Sequence, residues 1–311
     1  MAETGDLGET RAVTGAGWLG QRERGTPLAL AFTLRMARLL GRQPMRVFVH
    51  TIALWYRVFD RGVTRASRDW LARIHGRPAG YWEVYRHLCV FAQVTLDRIF
   101  LLSGRTQDFV FTRTGNQHLM GQLATGRGAV LLGAHVGSYD AMRAAGFSEN
   151  VPIKILGYFK NAQRINALLA DLNPGQAAHV IHMGDDPVSA TVRAQGCIEQ
   201  GELVALLGDR VGLNARVVRA RFLGEEADFP AGPFLLASLL RCPIYVVFGL
   251  YREPNRYDLH CEPFAERLEL PRKTREESLR AVAQRYADRL EHYCRMAPDN
   301  WFNFFDFWSK P

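Results

Sequence analysis

The spacing of apolar positions changes near residue 105. Before it, apolar side chains recur at helical intervals in three long runs, Leu28–Leu40, Val47–Phe59 and Tyr81–Phe100. After it, short apolar runs alternate with amphipathic ones. Gly128–Ala134 reads as a strand, followed by a helix from about Ser138 to Gly146. Ile153–Leu156 is the next strand, followed by a helix over Asn161–Leu172 with Ile165, Leu168, Leu169 and Leu172 on one face. His179–His182 predicts a short strand. Asp186 and Pro187 open a helix reaching Gln200, with Asp as N-cap and Pro in the first turn. Leu203–Leu207 reads as a strand buried on both faces, Pro233–Leu240 as a helix and Pro243–Leu250 as a strand. Arg256–Cys261 is predicted to be its antiparallel neighbour, and Thr274–Tyr293 a long closing helix. This alternation predicts an α/β fold with a mainly parallel sheet covered by helices. The chain divides into a flexible segment 1–25, a helical region 26–105 and an α/β core 106–311.

In open α/β sheets ligands bind at the carboxyl ends of the strands, so the residues after each strand carry the candidate chemistry. The strand ending at Ala134 runs into His135, and Asp140 follows five residues on. Positions five apart on one helix face different sides, so the two can meet only across a turn, which Gly137 supplies. A helix starting near Ser138 then carries Asp140 in its first turn. There the carboxylate can accept the Nδ1–H of the imidazole and leave Nε2 as a general base. A strand-end histidine in a structural polar network gives the same pattern. No Ser-, Cys- or Thr-centred signature accompanies the histidine, so the attacking group is expected to belong to a substrate. Gly208-Asp209-Arg210 ends a second strand and is followed by the long stretch Val211–Gly232. Within it Arg216, Arg219 and Arg221 alternate with apolar residues, as in a strand with one cationic side. A mouth holding His135, Asp140, Asp209 and Arg210 can bind an anion beside a base, while Asp209 and Arg210 can equally form a structural ion pair.

Charge refines the reading of the N-terminal third. The net charge is +8, and residues 1–105 hold sixteen arginines, no lysine and eight acids, whereas the remainder balances. Arg35, Arg38, Arg46 and Arg57 interrupt the apolar runs, leaving none with the roughly 20 uncharged residues of a spanning helix. Arg35, Arg38 and Arg42 share a helical face, with Phe32, Met36, Leu39 and Leu40 elsewhere on the cylinder, as in a helix lying on an anionic lipid surface. Gly41 and Pro44 end this helix, so Arg46 and Trp55 belong to the next. An amphipathic helix packed on the core with solvated arginines is the other reading. Nucleic acid is a poorer partner, because the arginines alternate with bulky aliphatics and no nucleic-acid motif is present.

The five cysteines are scattered without metal or redox spacing and read as reduced thiols, and the acidic, glycine-rich N-terminus does not read as a signal peptide. Gly15-Ala16-Gly17-Trp18-Leu19-Gly20 fits a dinucleotide fingerprint, but no strand precedes it and no helix opening follows. No metal-binding spacing is found, and none is expected.

With these residues placed, the chain resembles the bacterial lipid A late acyltransferase family of the lysophospholipid acyltransferase superfamily, over roughly residues 15 to 308. His135 and Asp140 match the superfamily's H-x4-D/E motif. Gly208-Asp209-Arg210, Arg221-Phe222-Leu223-Gly224, Phe229-Pro230-Ala231-Gly232-Pro233-Phe234 and Cys242-Pro243-Ile244 follow the family's order. The ending Pro298–Trp308 looks more like a branch found with aryl-polyene pigment and glycolipid pathways. Val136, Gly137, Ser138 and Tyr139 depart from the family's usual run after the histidine. The resemblance implies a glycerol-phosphate-acyltransferase-like fold and transfer of a fatty or aryl-polyene acyl chain from an acyl carrier protein or coenzyme A thioester to a hydroxyl of a membrane glycolipid. No other cofactor is implied. In that reading His135 is the base, Asp140 its support and Asp209 an active-site residue. Arg210 and the backbone at Gly137 and Ser138 are oxyanion donors, and Arg164, Asn166 and Arg221 contact substrate. Residues 26–105, through Arg35, Arg38, Arg42, Arg46 and Trp55, would dock the enzyme on the cytoplasmic face of the inner membrane. A hydrolase using the same base on water, and a non-catalytic lipid-binding protein, are the alternatives.

Overall fold

The computed structural model describes residues 33, 35–37, 39–148, 151–157, 180–183, 186–212 and 215–308. Strands β1 (Val110–Thr114), β2 (Val130–Gly133), β3 (Ile153–Gly157), β4 (Val180–His182), β5 (Leu203–Leu207), β8 (Ile244–Arg252) and β9 (Arg256–Ala265) form one sheet in the order β1-β9-β8-β2-β5-β3-β4. The block from β8 to β4 is parallel, β9 runs antiparallel to β8, and β1 is parallel to β9. The mainly parallel α/β architecture expected from the sequence is therefore the one found. β2 and β8 are buried nearly throughout because helices or loops cover both faces, which is why they read as unbroken apolar runs.

One face of the sheet, with Val130, Leu132, Val204, Leu206, Val246 and Phe248, packs into the largest core cluster. The closing helix α8 (Arg275–Met296) covers it through the stripe Leu279, Ala283, Tyr286, Ala287 and Leu290. Leu131, Leu203, Ala205 and Val247 point the other way, toward Leu119 and Leu123 of α4 (Asn116–Leu123) and Tyr139 and Met142 of α5 (Tyr139–Ser148). Helices α6 (Pro187–Glu199) and α7 (Gly232–Leu240) complete the cover of the first face. Asp186 caps α6, its carboxylate accepting from Ser189 N–H, as the Asp-Pro pair predicts.

Two elements differ from the sequence reading. β1 has no apolar signal because nearly all its positions are exposed on the sheet edge. The stretch 211–232 is not an open loop: β6 (Val217–Phe222) and β7 (Glu225–Pro230) form a hairpin turning at Leu223 and Gly224, with Phe222 and Phe229 fully buried. The helix expected over 161–172 lies outside the described residues.

The N-terminal third contributes α1 (Arg42–Phe59), α2 (Arg61–His75) and α3 (Tyr81–Leu102). Gly41, at φ 77°, precedes α1, so the break expected at Gly41 and Pro44 is present, with Pro44 accommodated in the first turn. Trp70 of α2 joins the main core cluster, and Phe100 of α3 a second one. Among the described residues no helix is long and apolar enough to cross a membrane.

Candidate active site

β2 and β5 are neighbours, with Gly133 opposite Leu207. His135 and Asp209 each lie two residues beyond that pair, so equal offsets from a parallel register bring them together about one inter-strand spacing apart. The Asp209 carboxylate accepts from the His135 backbone N–H at 3.0 Å through Oδ2 and from ring Nδ1 at 2.8 Å through Oδ1. Trp301 Nε1–H (3.2 Å) and Asn303 Nδ2–H (3.1 Å) also donate to Oδ2. Asp209 is fully buried, so this set of four donors replaces its lost water. Burial pushes the Asp209 carboxyl up, but the neighbouring His135 and Arg210 charges and the N–H donors outweigh it and hold the group down at about 2.

Burial lowers the His135 imidazole below its usual range, the Arg210 charge adds to that, and Asp209 opposes both. At neutral pH the ring is therefore uncharged beside an ionised carboxylate, and Nδ1 must carry the proton it donates. Nε2 makes no hydrogen bond among the described residues, and the side chain keeps 28% of its surface open. The arrangement presents an oriented lone pair at a strand mouth, with no hydroxyl or thiol nucleophile of the described residues hydrogen-bonded to it.

The C-terminal segment acts as a strap across this mouth. Phe302 N–H donates to the His135 carbonyl (2.9 Å) and Gly137 N–H to the Asn300 carbonyl (2.7 Å). Asn300 Oδ1 accepts from Tyr251 N–H at 2.6 Å. Arg210 donates through Nε to Asn303 Oδ1 (2.7 Å) and through Nη2 to the Phe302 carbonyl (2.9 Å). Burial draws the Arg210 guanidinium down to about 10 against the pull of Asp209, which leaves it cationic at neutral pH. His87 of α3 clamps the strap from behind, donating Nε2–H to the Trp301 carbonyl (2.9 Å) while Nδ1 accepts from Ser67 Oγ. Trp70, Phe222 and Phe307 pack around Trp301 at centroid separations of 4.4 to 5.4 Å. Trp301, Asn303 and Asn300 join the site only in the folded chain. The signal was available: three polar-capable side chains inside an aromatic run that buries itself against the core.

Several placements correct the sequence reading. Asp140 does sit in the first turn of α5, but the imidazole is bonded to Asp209, and Asp140 Oδ2 instead pairs with Arg98 Nε of α3 at 3.0 Å. The cause is Gly137. At φ 65° it turns the chain, its backbone lies against Gly249, and the first turn of α5 meets α3. The backbone N–H groups of Gly137 and Ser138 cannot serve as oxyanion donors in this conformation, because they are spent on the Asn300 and Gly249 carbonyls. Ser138 Oγ caps α5 by accepting from Ala141 N–H. Arg221 stands exposed on the hairpin, its backbone bonded to Gln284 of α8, apart from the histidine network. Arg164 and Asn166 lie outside the described residues. Of the arginines placed at a lipid surface, Arg42 is 5% exposed and buried in a bidentate pair with Asp97 at 2.8 and 2.9 Å. Gln93 and Tyr257 donate to the same carboxylate, which makes Arg42 a tie between α1, α3 and β9. Arg35 and Trp55 are exposed, Arg46 is half-buried, and Arg38 lies outside the described residues.

Comparison with known protein families finds a match to the bacterial lipid A biosynthesis acyltransferase family over residues 22–310. No curated protein matches the chain.

Proposed function

The chain belongs to the bacterial lipid A biosynthesis acyltransferase family, and on that premise we propose that it transfers an acyl chain from a thioester to a hydroxyl of a membrane glycolipid with His135 as general base. Membership gives the coarser statement: an O-acyltransferase of lipid biosynthesis with an acyl donor and a lipid A-like acceptor. The observation supporting the finer one is the His135–Asp209 pair, an uncharged imidazole held through Nδ1 with Nε2 open at the carboxyl ends of β2 and β5. Nε2 takes the acceptor hydroxyl proton as the oxygen attacks the thioester carbonyl carbon. The tetrahedral intermediate collapses, the C–S bond breaks, and the departing thiolate recovers the proton from the imidazolium. Products are an ester and a free thiol. Asp209 orients the ring and stabilises its charged form, while Arg210, Trp301 and Asn303 position Asp209. Acyl carrier protein or coenzyme A supplies the thioester, and the branch-like ending favours a fatty or aryl-polyene chain. In this reading the enzyme works on the inner face of the cytoplasmic membrane, where such an acceptor lies, and the exposed apolar side chains of α1 support peripheral docking there.

Thioester turnover with and without a lipid acceptor tests this. Acceptor-dependent release of thiol, with the acylated lipid seen by mass spectrometry, is the expected result. Release that ignores the acceptor marks a hydrolase, and lipid retention without turnover marks a binding protein.

A further inference from the structure

Arg57, Val58, Arg61, Thr64, Arg65 and Arg68 line a surface concavity at the corner between α1 and α2. Its four arginines form no ion pair with any described acidic side chain, unlike Arg73 and Arg77 farther along, which pair with Asp69, Glu225 and Glu83. Arg57 is fixed from one side: its guanidinium lies 4.2 Å from the Tyr81 ring centroid, and Nε is buried with no hydrogen-bond partner. Arg61, Arg65 and Arg68 are exposed and follow one another at spacings of four and three residues, so they share one face of α2. Four like charges converging on one hollow repel one another unless an anion sits among them.

The surroundings identify the anion's carrier. Val58 lines the hollow itself, Tyr81 lies against Arg57, and the same helix corner carries further solvent-facing aromatics: Trp55 and Phe59 on α1 and Trp82 next to Tyr81, the four being 46 to 73% exposed. Trp55 and Phe59 lie in ring contact on α1, and Tyr81 and Trp82 at the start of α3. Exposed aromatic pairs on a water-facing surface are unfavourable, whereas amphipathic aromatics near arginines match the boundary between lipid headgroups and acyl chains. We infer that the hollow formed by Arg57, Arg61, Arg65 and Arg68 binds the phosphate of an anionic phospholipid headgroup, while Trp55, Phe59 and Trp82 enter the bilayer surface beside it. The inference rests on the peripheral-membrane part of the proposed function and makes it specific for headgroup charge.

Binding of the full chain to vesicles of phosphatidylcholine alone, and of phosphatidylcholine mixed with phosphatidylglycerol, tests the site. The expected result is tighter binding to the mixed vesicles, with the preference reduced at least about tenfold in Arg61→Gln/Arg65→Gln/Arg68→Gln. Binding to phosphatidylcholine should not change and the melting temperature should not fall, since these three side chains are exposed and their mutual repulsion is relieved. A triple variant that keeps the preference overturns the site while leaving membrane docking in place. Wild-type protein that binds neither vesicle overturns the docking reading as well. Release by inorganic phosphate beyond that caused by sulfate at equal ionic strength reassigns the hollow to free phosphate and overturns the lipid assignment. Loss of acyl carrier protein binding in the triple variant, with vesicle preference intact, reassigns it to a protein partner.

Discussion

Asp209 holds His135 at two points, its backbone N–H at 3.0 Å and its ring Nδ1 at 2.8 Å, so that one buried carboxylate sets both the position and the tautomer of the imidazole. Fixing both removes the freedom that would let the ring turn its protonated nitrogen to the substrate.

Replacing His135 by Ala should lower transfer by about 10²–10⁴ with the fold retained, because the ring is partly open and not part of the packed core. The wild-type pH profile should carry the sign of a base. His135 titrates below its usual range, so kcat/KM should rise with pH through a pKa under the normal histidine value and level off by neutrality. A profile that falls over that interval would remove His135 as the base.

Asp209→Asn and Asp140→Asn separate the two acids. An amide at 209 must turn its NH2 toward donors that need an acceptor, and the rate should drop by about 10²–10⁴. Asp140 is bonded to Arg98 in a partly exposed pair worth on the order of 1 kcal/mol or less, so Asp140→Asn should change the rate by less than about tenfold. Steady-state kinetics on both variants decide it, and a larger defect at 140 would return the dyad to the pairing read from the H-x4-D motif.

Arg42→Ala should destabilise the protein by about 3–5 kcal/mol, since Asp97 is left buried without its cation. Arg42→Met combined with Asp97→Leu should regain most of that loss. Denaturant titration measures both. Vesicle binding by the folded fraction should be unaffected, because Arg42 has no surface to offer lipid.

His87 gives a stability signature at acid pH. Burial lowers its pKa to about 4, partly offset by the Trp301 carbonyl and aided by the Arg86 charge. The folded value lies below the unfolded one of about 6.5, so the folded state binds fewer protons between them, and stability falls as pH drops through that window. The whole shift corresponds to roughly 3 kcal/mol. His87→Gln should flatten this part of the stability curve followed by thermal melts, and an unchanged slope would place the acid sensitivity elsewhere.

Gly137→Ala should be poorly tolerated. A Cβ there falls 1.9 Å from the Gly249 carbonyl oxygen, at a φ that disfavours L side chains. The variant should show a lower melting temperature together with lost turnover, because relieving the clash moves the turn that carries His135.

Most of the fold was legible because burial on both faces leaves β2, β5 and β8 as continuous apolar runs, and because Asp186-Pro187 and Gly41 punctuate helices by local backbone chemistry. The edge strand β1, nearly all exposed, carries no such signal. The hairpin Val217–Phe222 with Glu225–Pro230 showed its alternation, but its pairing partner lies across a turn that periodicity alone does not assign.

His135 was legible as well, as a polar residue at the end of an apolar strand, and so was the order of motifs that marks the family. Its acid was not. Sequence proximity favours Asp140, five residues away, whereas Asp209 is 74 residues away and meets the histidine through strand register, which only the assembled sheet defines. The same holds for Trp301 and Asn303, whose bonds to Asp209 span more than 90 residues, and for Arg42, which looks like a surface charge until Asp97 closes over it. Local periodicity fixes which residues face inward; which buried polar groups satisfy one another depends on distances that exist only after the chain has folded.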